Sequence, residues 1–384
     1  MKMDLHFTKK EFAERQKLAR NALAARDLDG LLMFRQESMY YLSGYASFGY
    51  CFFQCLYLGA DGKMTLLTRM PDVLIARLVS MLDDIRPWHN LPDANPAIDL
   101  RAVLEEHGCR GKRLGIELDA YGLTGLLHSK VQAAMTGFCN LEDASDLVSR
   151  LRMIKSPAEI DYCRKAGVLA DAALAEANRL STPGAWEGDI LAAMQGAVFK
   201  GDGDYSGNEF IINSGERAVV GRYVTGRRRL AKKDQMTIEW AGAYRYYHAA
   251  MMRTILTGQP TSKEKDIHKV AVEAHRASAA QIKPGNSFGA VYDAHAKVIK
   301  RGGYEPMGAT GYNLGATFPP TWMDGPMFWP GNEQEIEVGM VLFIHSVVRT
   351  KDGTHAQCPG QTYIVTERGA ESLSKMSMDL VANG

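Results

Sequence analysis

The chain has 384 residues, enough at about 150 per domain for two or three domains with large cores, which excludes a miniprotein stapled by disulfides or a structural metal. Lys and Arg number 45 against 44 Asp and Glu, a formal charge of +1, with 46% hydrophobic and 23% charged residues. That balance gives no electrostatic case for nucleic acid or a membrane surface as a partner, and the one dense basic run, Arg227-Arg228-Arg229, reads as a solvated turn. The six cysteines are scattered without a Cys-x-x-Cys pair, so reduced thiols are expected. The charged start, Met1-Lys2-Met3-Asp4, and the lack of a membrane-length apolar run add the expectation of a soluble, cytoplasmic protein.

In chain order, a helix is expected to open at the Thr8 to Glu11 capping box, followed by a strand over Gly30-Leu31-Leu32-Met33-Phe34 and strands near 52–58 and 64–68. Helical spacing marks 72–82, 98–108 and 122–134, with a strand over Arg113 to Glu117. This alternation predicts an α/β domain over residues 1–150. Ser156 and Pro157, with Glu159 in the first turn, then open a long helix to about residue 180. Helices near 185–200, 263–282 and 287–301, strands near 209–213, 236–247 and 251–257, and an extended C-terminal part predict an α+β domain over 151–384.

Chemistry centres on Met236-Thr237-Ile238-Glu239-Trp240-Ala241-Gly242, which leads through a bend near Tyr244 to Tyr247 into the strand from His248 to Thr254. Strand parity places Thr237, Glu239 and Ala241 on one face, and His248, Ala250 and Met252 on one face of the return. A carboxylate among Ile238, Trp240 and Ala241 must be paired, neutralised or used chemically. Spacing alone leaves a solvent-facing strand glutamate equally open.

The string Arg152-Met153-Ile154-Lys155-Ser156-Pro157-Ala158-Glu159-Ile160, the pair Ser214-Gly215, the Glu239 hairpin ending Arg253-Thr254, Gly311-Tyr312-Asn313-Leu314-Gly315 and Gly339-Met340-Val341 resemble the pita-bread family of methionine aminopeptidases, prolidases and creatinases. The resemblance implies a creatinase-like α/β N-terminal domain ahead of an α+β pita-bread catalytic domain. The family's peptidases hold two metal ions with two aspartates, a histidine and two glutamates. The resemblance puts Glu239, Ala250, Tyr312, His345 and Gln361 at those positions, too few ligands for a dinuclear centre, so no metal and no other cofactor is expected.

Within the family the chain is most similar to the metal-free creatinases and ectoine hydrolases, through Ala250, Ser47-Phe48-Gly49, Glu239-Trp240-Ala241-Gly242, Tyr247-His248-Ala249 and Phe318-Pro319-Pro320-Thr321-Trp322. This resemblance implies hydrolysis of a non-peptide C–N bond in a small zwitterionic nitrogen compound. Glu239 would be the nucleophile, His345 the base, and Tyr312 and Gln361 the hydrogen-bond donors. Where those relatives carry a pocket histidine this chain has Arg222, whose planar fork suits a substrate carboxylate. His248, Trp322 and Phe48 complete the expected binding set, Phe48 reaching in from the partner of a homodimer. His345 read as a strand residue alone is more readily a core histidine, and it is the family position that reverses this; most of the aromatics are core packing. Three alternatives stand beside this reading: a metal-dependent Xaa-Pro dipeptidase, a retired pita-bread domain that binds a peptide or protein, and elimination in place of hydrolysis.

Overall fold

A computed structural model of the protein describes residues 5–384; the charged start Met1–Asp4 lies outside them. The chain divides into two compact units, Met1–Arg152 and Met153–Gly384.

The first unit is the expected α/β arrangement. Six strands, β1 (Gly30–Met33), β2 (Cys55–Gly59), β3 (Met64–Arg69), β4 (Asp84–Trp88), β5 (Arg113–Ile116) and β6 (Asn140–Asp143), lie in the order β4-β3-β2-β1-β5-β6. β1 and β5 run parallel, as do β5 and β6, while β2 is antiparallel to both neighbours. Helices α1 (Lys9–Ala24), α2 (Gln36–Ser43), α3 (Val73–Val79), α4 (Pro96–Glu106), α5 (Gly125–Met135) and α6 (Ser145–Met153) cover it. Thr8 caps α1 by accepting from Glu11 N–H, as its sequence indicates. Alternate side chains of β1 feed separate cores, Leu31 and Met33 one, Leu32 the other, which is the two-sided burial expected of a sheet with parallel strands.

The second unit opens with α7 (Pro157–Leu180), started by the full Ser156–Glu159 capping box, and α8 (Glu187–Lys200). Its sheet holds β7 (Ile211–Ser214), β8 (Asp234–Tyr244), β9 (Tyr247–Thr257), β10 (Gly311–Leu314), β11 (Met323–Met327) and β12 (Val341–His345). A two-stranded ribbon follows, β13 (Val348–Arg349) with β14 (Ala356–Gln357), then β15 (Gly360–Thr366), β16 (Gly369–Ser372) and β17 (Val381–Asn383). The large sheet runs β11-β10-β12-β15-β9-β8-β7, with β16 on β15 and β17 parallel on β9.

Helices back one face of this sheet. α7 and α8 pack Leu169, Ala170, Leu174, Ile190 and Met194 against Ile238, Trp240, Met251 and Ile255 of the β8–β9 hairpin. Trp240 Nε1–H donates to Ala170 O at 3.0 Å. A second helix pair, α9 (Ser262–Ala279) and α10 (Phe288–Arg301), puts Phe288 and Val291 of α10 against Leu342, Ile344 and Val365. The odd residues of β8 therefore look away from α7, and the sheet curls on that side: Tyr247 bridges Ala316, and His248 N–H reaches Gly315 O at 3.3 Å. The start of β9 thus meets the end of β10.

Candidate active site

Register fixes what shares the helix-free face. Ile211 lies opposite Glu239, Glu239 opposite Met252, Met252 opposite Gly360 and Gly360 opposite His345, one row across β7, β8, β9, β15 and β12. Directly opposed residues project to the same side, so Glu239 and His345 share this face. Three strand spacings of ~4.8 Å put their backbones roughly 14 Å apart along the sheet.

The Glu239 carboxyl is buried, 9% exposed, and among the described residues no hydrogen bond or ion pair reaches it. Loss of water pushes its pKa up to about 7, against the smaller opposing pull of the Arg222 charge. Arg222 lies on the exposed loop after β7; its carbonyl accepts from Asn213 Nδ2 at 2.5 Å and its Nη1–H donates to Gly221 O at 2.8 Å. The same guanidinium also acts on Tyr312 and His345, so its positive charge is common to the whole site.

Tyr312, on β10, is 6% exposed; burial first, and then the Glu239 charge, raise its pKa, so it stays a neutral phenol. Its oxygen accepts from Trp322 Nε1–H at 2.7 Å, which leaves the phenolic proton to give. Trp322 is fully buried, its N–H spent on Tyr312; it positions the phenol and does not bind a ligand through its own donor. His345 ends β12, half-buried, with its ring 6.1 Å from that of Tyr312. Burial, then repulsion from His295 and Arg222, holds its pKa down at about 4, so it is a neutral imidazole near pH 7.

Two expected site residues, Gln361 and His248, are engaged elsewhere, and Phe48, expected from a partner subunit, is described within its own unit. Gln361 is opposite Ile344, one residue off the row, so it projects to the reverse face. There its Oε1 accepts from Arg253 Nη2 at 3.1 Å and its Nε2 donates to Ser372 Oγ. The β15 residue on the site face is Gly360. His248 is fully buried; Gly207 N–H donates to its Nε2 at 2.8 Å, and its Nδ1 meets Thr317 Oγ1 at 3.1 Å. With both nitrogens used and burial lowering its pKa to about 4, it is a neutral post that holds the 207 loop. Phe48 belongs to the first unit, 68% exposed in a short 3-10 turn over Phe48–Cys51, edge-on to Tyr50 and Phe52.

The residues do not fit a dinuclear metal centre. On the site face stand one carboxylate, Glu239, one imidazole, His345, a neutral phenol, Tyr312, whose oxygen accepts from Trp322, and Ala250. At Gly360 even a Cβ would come within 2.7 Å of Met252 Cβ and 3.0 Å of the Phe343 ring, so no carboxylate side chain has room there. Among the described residues no three His, Cys, Asp or Glu are grouped to hold a metal ion.

Sequence reasoning missed Thr237, Thr254 and Cys358, which floor the site beside Glu239: Thr237 and Thr254 are opposed in register, and Cys358 Sγ lies 3.1 Å from Thr254 Oγ1. Parity around Glu239 was the signal for the first two; Cys358 had none. Also missed was a cavity of about 470 Å³ that runs from Ile211 and Arg222 along the 204–210 segment to Pro319 and Pro320.

The Metallopeptidase family M24 profile matches residues 161–367, and the Creatinase/Prolidase N-terminal domain profile matches 15–154. An uncharacterized hydrolase/peptidase, y4tM, of Sinorhizobium fredii is 28% identical over 98% of both chains. The ectoine hydrolase of Halomonas elongata is 26% identical over 99% of both. Among solved structures, a prolidase from Thermococcus sibiricus superposes with a TM-score of 0.87 at 19% identity, over 98% of this chain and 100% of that one.

Proposed function

The chain belongs to metallopeptidase family M24, and from that premise we propose that it hydrolyses a non-peptide C–N bond without a metal, in a small, carboxylate-bearing nitrogen compound. One observation carries this reading: Glu239, among the described residues the only carboxylate on the site face, is buried without a hydrogen-bond partner, and the Arg222 charge acts on it. The likeness to an ectoine hydrolase along the whole chain supports it, and the donor set disfavours the metal-dependent Xaa-Pro peptidase alternative.

In this mechanism the substrate carboxylate sits on the Arg222 fork, which sets the electrophilic carbon of an amide or amidine against Glu239. A carboxylate oxygen of Glu239 adds to that carbon, with the Tyr312 O–H donating to the charge that develops on its substituent. The C–N bond then breaks, and nitrogen leaves with its electron pair and takes up a proton from solvent. Water attacks the resulting glutamyl adduct and gives a proton to neutral His345, which releases it to solvent, and the Glu239 carboxylate is restored. The sum is addition of one water across the C–N bond.

The test is a screen of cyclic amidine carboxylates, guanidino acids and Xaa-Pro dipeptides with metal-analysed protein. Turnover of an amidine or guanidine that survives chelation, with far less than one transition metal per chain, is expected. His345→Ala should then let a mass adduct accumulate on the peptide containing Glu239. Cleavage of Xaa-Pro dipeptides that requires stoichiometric metal would overturn the proposal.

A further inference from the structure

We infer, building on the hydrolytic reading above, that the substrate is not a compact solute: it carries an apolar body of ring size or larger, which fills the cavity beside Glu239. That cavity, about 470 Å³, falls within the roughly 300–1,000 Å³ range that suits drug-sized ligands. It is continuous with the site, since Arg222 lines it and Ile211, its β7 wall, lies directly opposite Glu239. A substrate with its carboxylate on Arg222 and its scissile carbon at Glu239 has this space beside it.

The walls are chiefly hydrocarbon: Val198 and Phe199 of α8, Tyr205, Phe210 and the Pro319-Pro320 pair. Phe199 and Tyr205 meet edge to face at 5.0 Å, yet remain 44% and 78% exposed. A polar solute of one small ring would leave those walls against water, whereas an apolar substituent removes both its own surface and theirs from solvent at ~25 cal/mol per Å². Polar groups interrupt the wall at Gln195, Asp204, Asn208 and Glu209, and one more is buried. Ser206 Oγ is buried and has no hydrogen-bond partner among the described residues, so a heteroatom on the body has a place to bond.

Two readouts separate this inference from the hydrolytic reading. The first is binding by calorimetry of N-methyl, N-butyl and N-benzyl amino acids, which carry no cleavable amide or amidine bond. The second is kcat/KM for cyclic amidine carboxylates bearing methyl, butyl or phenyl groups at the amidine carbon. Affinity should rise at least about tenfold from methyl to benzyl, with kcat/KM following substituent size. Gln195→Trp, which places an indole from an exposed α8 position into the cavity, should remove most of that size dependence. If affinity rises with size but no amidine is turned over, the hydrolytic reading fails and the cavity assignment stands. Flat or falling affinity with size, or size dependence intact in Gln195→Trp, overturns the inference, including where the methyl amidine is turned over well.

Discussion

Glu239 and Arg222 act on one another across the site, and the sign of that coupling makes two substitutions informative. A nucleophilic carboxylate must be ionised, and burial holds Glu239 protonated up to about pH 7, so kcat/KM should rise with pH through a limb near 7. Glu239→Gln keeps size and hydrogen bonding but removes the attacking charge; turnover should fall at least about a hundredfold while circular dichroism stays unchanged. Because the Arg222 charge lowers the Glu239 pKa, Arg222→Ala should move the limb to higher pH and raise KM. Arg222→Lys should leave the limb near its place while KM still rises, since the planar fork is lost. A limb that stays put in Arg222→Ala would separate the two residues. The shared sheet face of Glu239, Tyr312 and His345 has a trace in sequence for the first two, which sit inside recognisable strings, while His345 was placed only by the family resemblance. Gln361 was placed in the same way and does not share that face: in a strand, one residue of misassignment moves a side chain to the other face.

At the scale of elements, the β8–β9 hairpin decides the site, and its geometry depends on two things outside its own hydrophobic pattern. Its turn residues Arg245 and Tyr246 have φ of 50° and 67°, a conformation that usually calls for Asn or Gly. No such residue flags the turn in sequence. It is held from outside, by the Asp204 carboxylate accepting from Arg245 N–H at 2.5 Å and by Phe318 stacked on Tyr246 at 4.4 Å between ring centres. The second dependence is Gly242, where a Cβ would stand 2.0 Å from Ala166 O of α7. Gly242→Ala therefore has to push helix and hairpin apart, and urea unfolding should show a loss of at least ~2 kcal/mol. A loss below ~0.5 kcal/mol would mean that α7 does not pack this closely on the sheet.

Across the molecule, burial of ionisable groups sets the response to acid. In the second unit His248, His275, His295 and His345 are held neutral by burial, with pKa values lowered to between about 3 and about 4. For each, the unfolded chain binds a proton near pH 6.5 that the fold refuses until well below it. The unfolded state therefore gains protons first, and stability should drop as pH falls from about 6.5 towards 4. Glu239 acts in the opposite sense, being protonated in the fold over that range. His295 has no partner on either ring nitrogen among the described residues, so His295→Leu should flatten the fall in urea midpoint between pH 6.5 and 4. An unchanged slope would assign the acid response to other groups.

Composition and local pattern determined the α/β then α+β order, the caps that start α1 and α7, and the hairpin bearing Glu239, because each follows from periodicity or from side-chain bonding within a few residues. The resemblance to the pita-bread family, read from strings of residues, implied that too few metal-binding side chains remain at the family's ligand positions. Tertiary structure alone decided that Gly360 faces the site in place of Gln361 and that both His248 nitrogens are occupied. It alone decided that the Arg222 charge reaches Glu239, Tyr312 and His345 together, and that a cavity opens beside them. These are consequences of strand register and sheet curl, which join residues more than a hundred positions apart and leave no mark in the spacing of any one segment.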